Sequence, residues 1–144
     1  MRILTLFALC ILVTGISLAV LTHETISYRT PLKRISGSVI GYGNVNPGVK
    51  VELFDKPEVW ADDSLSLNEK RKRQKLIATT STDAKGKFDF RGVPKGAYEI
   101  QFSAAGWNIL SVLVSVDPAG SHDRLCMQLS LEGARQTPSV ANCP

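Results

Sequence analysis

From residue 34 onward, apolar and polar residues alternate along most of the chain. Val49, Val51 and Leu53 are separated by Lys50 and Glu52, the period of two expected of a half-buried strand. Phe88 and Phe90 alternate with Lys87, Asp89 and Arg91; Tyr98, Ile100 and Phe102 with Glu99, Gln101 and Ser103. Leu110, Val112, Val114 and Val116 form a further run, and Leu125, Met127, Leu129 and Leu131 the last, set against Cys126, Gln128 and Ser130. Turn chemistry separates them: Gly41-Tyr42-Gly43-Asn44, Asn46-Pro47-Gly48, Asp83-Ala84-Lys85-Gly86, Pro94-Lys95-Gly96 and Asp117-Pro118-Ala119-Gly120. Short alternating runs with a turn every ten or so residues predict an all-β sandwich or barrel. Seven strands are expected, at 34–42, 49–54, 74–81, 87–91, 96–104, 109–116 and 124–132. Gly37 and Gly41 predict bends or bulges in the first strand. Asp83 and Gly86 fit a tight turn, the Asp bonding local backbone and the Gly taking positive φ, and Pro94 with Gly96 predict the same before the Tyr98 run.

Residues 55–73 break the rhythm. Acids come first (Asp55, Glu58, Asp62, Asp63) and bases last (Lys70, Arg71, Lys72, Arg73). Ser66-Leu67-Asn68-Glu69 has the form of a capping box, so a short helix is expected to start there, with charges placed to suit its dipole.

The first twenty residues are of different material. Arg2 is followed by a run from Ile3 to Val20 without a charged residue, closing on Ser17-Leu18-Ala19. This is the pattern of a secretory signal cleaved after Ala19; the alternative is an uncleaved membrane anchor, since the run is just long enough to span a bilayer. Cys10 lies inside the run behind a bulky Leu9, which argues against a lipid-modified cysteine. Loss of the signal would leave one pair, Cys126 and Cys143. In an oxidising compartment such a pair is expected to form a disulfide, with two free thiols as the alternative. Cys126 belongs to the polar set of its strand, so a tail folding back along that face would bring Cys143 to it. The resulting organisation is a signal at 1–19, a linker at 20–33, one β domain at 34–132 and a C-terminal tail at 133–144. The 144 residues, 44% hydrophobic and 21% charged, are enough for one core, and the net charge of +4 is modest.

Two stretches carry a family resemblance. Ser36-Gly37-Ser38-Val39 is followed by Pro47-Gly48-Val49-Lys50-Val51-Glu52-Leu53. Thr82-Asp83-Ala84-Lys85-Gly86 precedes Phe88-Asp89-Phe90, and Pro94-Lys95-Gly96-Ala97-Tyr98 leads on to Gly106-Trp107. Together they resemble the carboxypeptidase regulatory-like domain, over roughly residues 34–132. The resemblance implies a single antiparallel seven-stranded sandwich of the prealbumin-like or Ig-like Greek-key kind, in the carbohydrate-binding-like fold group. It further implies an accessory module, without the catalytic zinc domain of such enzymes.

The residues offer little catalytic chemistry. His23 and His122 are the two histidines, and neither begins a His-x-x-Glu pair, so the ligands of a catalytic zinc are lacking. Ser121-His122-Asp123 are adjacent, whereas a triad converges from separate segments. Asp83 with Lys85 and Lys87 makes a poor calcium loop, no nucleotide fingerprint is present, and no cofactor is expected. Two binding candidates remain. Trp60 either stacks on a sugar ring or plugs the long connection onto the sandwich. The basic run Lys70, Arg71, Lys72 and Arg73 is either a solvated helix face or a contact for an acidic polymer or head group. The expectation is an exported, secreted or periplasmic, non-enzymatic module for an envelope protein or glycan. Nucleic acid is not an expected partner, and membrane contact is expected only through an uncleaved N-terminal segment. A carbohydrate-binding module using the 55–75 connection and a structural spacer are the alternatives.

Overall fold

A computed structural model describes residues 22–131 and 137–143, the side chain of Asn142 excepted. The candidate signal at 1–19 and its Cys10 lie outside the described residues. Ten strands are present: β1 (His23–Ser27), β2 (Ile35–Gly41), β3 (Asn44–Val45), β4 (Lys50–Phe54), β5 (Leu76–Ser81), β6 (Lys87–Phe90), β7 (Gly96–Ser103), β8 (Ile109–Val116), β9 (Leu125–Leu129) and β10 (Ser139–Asn142). They form two sheets. The first has the order β1-β8-β7-β4-β5; the second runs β10-β9-β2-β3, with β6 also paired to β2.

The alternating positions meet between the sheets. Val51, Leu53, Ile100, Phe102, Leu110, Val112 and Val114 from the first sheet pack with Ile35, Val39, Phe88, Phe90, Leu125, Met127 and Leu129 from the second. The all-β sandwich expected from the sequence is therefore the fold. Strand number and direction differ from the expectation. The described residues hold ten strands rather than seven, and two pairings are parallel, β1 with β8 and β2 with β9, so the sheets are mixed.

The extra strands lie where the alternation is weakest. β1 falls within the expected linker at 20–33. It is an edge strand partly open to solvent on both faces, which leaves its sequence, HETIS, without a strong period of two. Leu32 follows it and is fully buried, bonded through its backbone to Ser115 and Asp117. β10 lies in the tail, antiparallel to β9, with Ala141 opposite Cys126. β3 has only two residues.

The glycines of β2 serve close approach rather than a bend. A Cβ on Gly37 would lie 2.0 Å from the Leu125 carbonyl oxygen, and one on Gly41 would meet the Trp107 ring at 2.1 Å. At the Asp83 turn, Gly86 takes φ +69° and the Asp83 carboxylate accepts the N–H groups of Lys85 and Lys87 at 2.8 and 2.9 Å. Those bonds hold its pKa below the ordinary carboxylate value. Before β7 the positive φ falls on Gly92, not on Gly96, which instead opens the strand. The tyrosine there is anchored by Tyr98 Oη donating to the Pro94 carbonyl at 3.0 Å.

Candidate functional site

Two outward faces of the sandwich carry polar chemistry, and the sequence separates their components widely. The first lies on the outer face of the β1-β8-β7-β4-β5 sheet, under the 55–75 connection. That connection folds as a short 3-10 helix, Pro57–Ala61, and then helix α1, Leu67–Arg73. The capping box is complete: Ser66 Oγ accepts from the Glu69 N–H, and the Glu69 carboxylate accepts from the Ser66 N–H. Four basic residues occupy the last turn, where the dipole favours them.

Beneath the connection sits Glu99, fully buried in mid-strand of β7. An unpartnered carboxylate there would be very costly, and five donor bonds compensate it. Trp60 Nε1–H donates to Oε2 at 2.6 Å and Gln74 Nε2 at 2.8 Å. Arg71 donates from Nη1 to Oε2 at 3.1 Å and from Nη2 to Oε1 at 3.0 Å, a two-point guanidinium–carboxylate pair. Ser111 Oγ–H donates to Oε1 at 2.6 Å. Since the serine proton is directed at the carboxylate, His23 Nε2, 2.8 Å from Ser111 Oγ, must be the donor in that pair. A serine whose proton already bonds a buried carboxylate, with a histidine that donates to it, is not an activated nucleophile. Burial lowers the His23 pKa, opposed by the Glu99 charge and assisted by that of Arg71.

The candidate residues of the connection therefore divide. Trp60 is half-buried, its ring 4.8 Å from that of His23. Lys70 is 7% exposed and donates to the Trp60 carbonyl at 3.2 Å. Arg71 lies with its guanidinium carbon 3.8 Å from the Phe54 ring centroid. Lys72 and Arg73 are exposed. The run of four bases is thus two inward-turned residues and two outward.

The second face is on the β10-β9-β2-β6 side. Cys126 and Cys143 form a disulfide with Cα atoms 5.0 Å apart, inside the range that geometry allows. Ser38 Oγ is 3.3 Å from one sulfur and 3.7 Å from the other. A groove of about 670 Å³ opens beside the bond, drawing its lining from β2, β5, β6 and β9. Strand register builds its cross-sheet rows. Lys87 pairs with Ser38 and Ser38 with Cys126, forming one row. Asp89 pairs with Ser36, and extending the β2–β9 register by one residue sets Arg124 beside Ser36. Extending the β2–β6 register by one sets Arg34 opposite Arg91. Arg91 is set against Asp89 at 3.4 Å. Arg34, Lys87 and Arg124 are exposed and have no ion-pair partner among the described residues. None of the three belongs to the basic run Lys70–Arg73.

Elsewhere, Trp107 is half-buried and packs against Gly41. His122 lies in the chain between β8 and β9, where its carbonyl accepts the Lys33 N–H at 2.7 Å. Among the described residues no group of three or more His, Cys, Asp or Glu is placed to hold a metal ion.

A two-sheet sandwich with one covered outer face and a disulfide-tied strand β10 is the class of fold the described residues define. The sequence model of the carboxypeptidase regulatory-like domain matches residues 34–130, and the chain belongs to that family. Domains of this family are regulatory and non-catalytic. Comparison with curated proteins gave no match.

Proposed function

We propose that this chain is an exported, non-catalytic module that engages a partner at the cell envelope through the basic groove of its second sheet. Three features support export: the uncharged apolar run from Ile3 to Val20, its small-residue close at Ala19, and a disulfide, which persists in oxidising compartments. The observation that carries the choice of surface is the groove beside the disulfide, with three cations that lack ion-pair partners. A groove with an excess of one charge attracts and orients ligands of the other. The 55–75 connection is a weaker binding surface, because the Trp60 N–H and the Arg71 guanidinium are already directed at Glu99.

The test is sedimentation with isolated envelopes of the source cell, using protein recovered from the exported fraction after expression with its own N-terminal segment. Binding that is lost in Arg34→Glu/Arg124→Glu and kept in Trp60→Ala supports the reading. Loss in Trp60→Ala alone would move the surface to the connection. Absence of binding by the wild-type protein would leave the role of a rigid spacer.

A further inference from the structure

The groove also has a chemistry that narrows its ligand. Its cations are not gathered at one point. Lys87, Arg124 and Arg34 stand in three successive cross-strand rows of the outer face, and rows on one face repeat about every 7 Å along a strand. The Cα atoms of Lys87 and Arg34 are therefore on the order of 13 Å apart along the sheet, so the cations are spread along the groove. The spacing suits charges repeated along an extended chain.

Four hydroxyl residues, Ser36, Ser38, Thr80 and Ser81, share the lining with the cations, and Ser36 Oγ is oriented by donating to the Asp123 carbonyl at 2.6 Å. Hydroxyls both donate and accept, which matches a ligand rich in hydroxyls of its own. No exposed large apolar side chain among the described residues belongs to the lining: Tyr42, Val45, Leu67, Leu76 and Ile77 all lie outside it, and Phe88 within it is buried. A bound peptide is normally held by apolar pockets as well as by charge. The lining also holds two carboxylates, Asp83, which is bonded to its own turn and near Lys87, and Asp89, which faces Arg91; four cations against two acids leave the groove net positive.

We infer that the groove binds an anionic polyhydroxylated polymer, a sugar or polyol chain with carboxylate or phosphate groups along its length, laid across Lys87, Arg124 and Arg34. Guanidinium groups accept either anion in two-point hydrogen bonds, so both sources share one recognition chemistry. The inference rests on the groove being the partner surface.

Its test is a calorimetric titration of the exported protein with polygalacturonate and with a glycerol-phosphate polymer, and with dextran and polyglutamate for comparison. At least one of the two anionic polymers with sugar or polyol backbones is expected to bind, with dextran silent and polyglutamate at least tenfold weaker. Which of the two binds separates carboxylate from phosphate. Affinity should fall steeply between about 0.05 and 0.3 M salt, where the screening length shortens from about 14 to 6 Å. Arg34→Glu/Arg124→Glu should weaken binding at least tenfold. Lys72→Glu/Arg73→Glu, the same change of net charge on helix α1, should weaken it less than threefold. Groove-dependent envelope binding with no response to either polymer, or with polyglutamate binding as tightly, would overturn the ligand class and leave the surface standing. Polymer binding that survives the Arg34/Arg124 change would overturn both.

Discussion

Replacing Arg71 by Met should unlock the 55–75 connection from the sheet. Arg71 supplies two of the five bonds to Glu99, and its positive charge is paired directly with a carboxylate that has no exposed surface. Removing one member of a buried pair costs about 3–5 kcal/mol, because the other charge is left without compensation. The Arg71 side chain keeps 29% of its exposure, so water screens part of the interaction and the lower end applies, about 3 kcal/mol. At about 4 °C per kcal/mol for a domain of this size, the midpoint should fall by roughly 12 °C. Glu99→Gln in the Arg71→Met background should return part of that loss, since a neutral amide can keep hydrogen bonds at little desolvation cost. Thermal denaturation at pH 7 of wild type, the single variants and the double variant measures both effects. A loss below 0.5 kcal/mol at pH 7, or a double variant no more stable than Arg71→Met, would refute the buried-pair account.

Burial depresses the folded pKa of His23 below 6.5, so the unfolded chain takes up the proton first as pH falls. Stability should decline from pH 6.5 downward until the folded pKa is passed, and His23→Gln should flatten that part of a denaturation-versus-pH curve. Acid loss at still lower pH should remain in that variant, because Asp62, Glu69 and Asp83 have pKa values lowered by local hydrogen bonds and Asp117 by its bond to Lys95. Cys126→Ser/Cys143→Ser reopens a link between residues 17 apart and should cost roughly 3 kcal/mol in urea denaturation; no change with or without reductant would show the link absent in solution. Gly37→Ala pushes a methyl into the Leu125 carbonyl and should cost about 1–3 kcal/mol, read as a lowered melting midpoint, whereas a neutral result would show that β2 and β9 are less closely set.

The strands with strong alternation were legible because one face of each is dry. β8 runs Ile109–Val116, the range expected, and β4, β6 and β7 differ by a residue at an end. β1 and β10 were not legible. Each lies at a sheet edge and shows no clean period of two, and their pairing depends on partners distant in the chain. The parallel directions of β1–β8 and β2–β9 have no local signal, since direction is set by the path between strands. The disulfide was legible from Cys126 lying in the polar set of its strand and from an even pair. The two polar surfaces were less so. Glu99 reads as an ordinary outward residue of an alternating strand, and only the return of the connection over that face buries it. Arg34, Lys87 and Arg124 look like scattered solvent charges, while the run Lys70–Arg73 draws the eye. Register reverses that impression, assembling the scattered cations on one face and turning half of the run inward.

The most direct test of the account is a map of the bound surface. Backbone amide chemical shifts of the exported protein would be followed during titration with the anionic polymer that calorimetry selects, or with solubilised envelope material if none does. The account predicts shifts concentrated at Arg34, Ser36, Ser38, Lys87, Asp89, Arg124 and Cys126. Shifts centred instead on Trp60 and on Lys70 through Arg73, with the outer face of β2 and β6 silent, would contradict it.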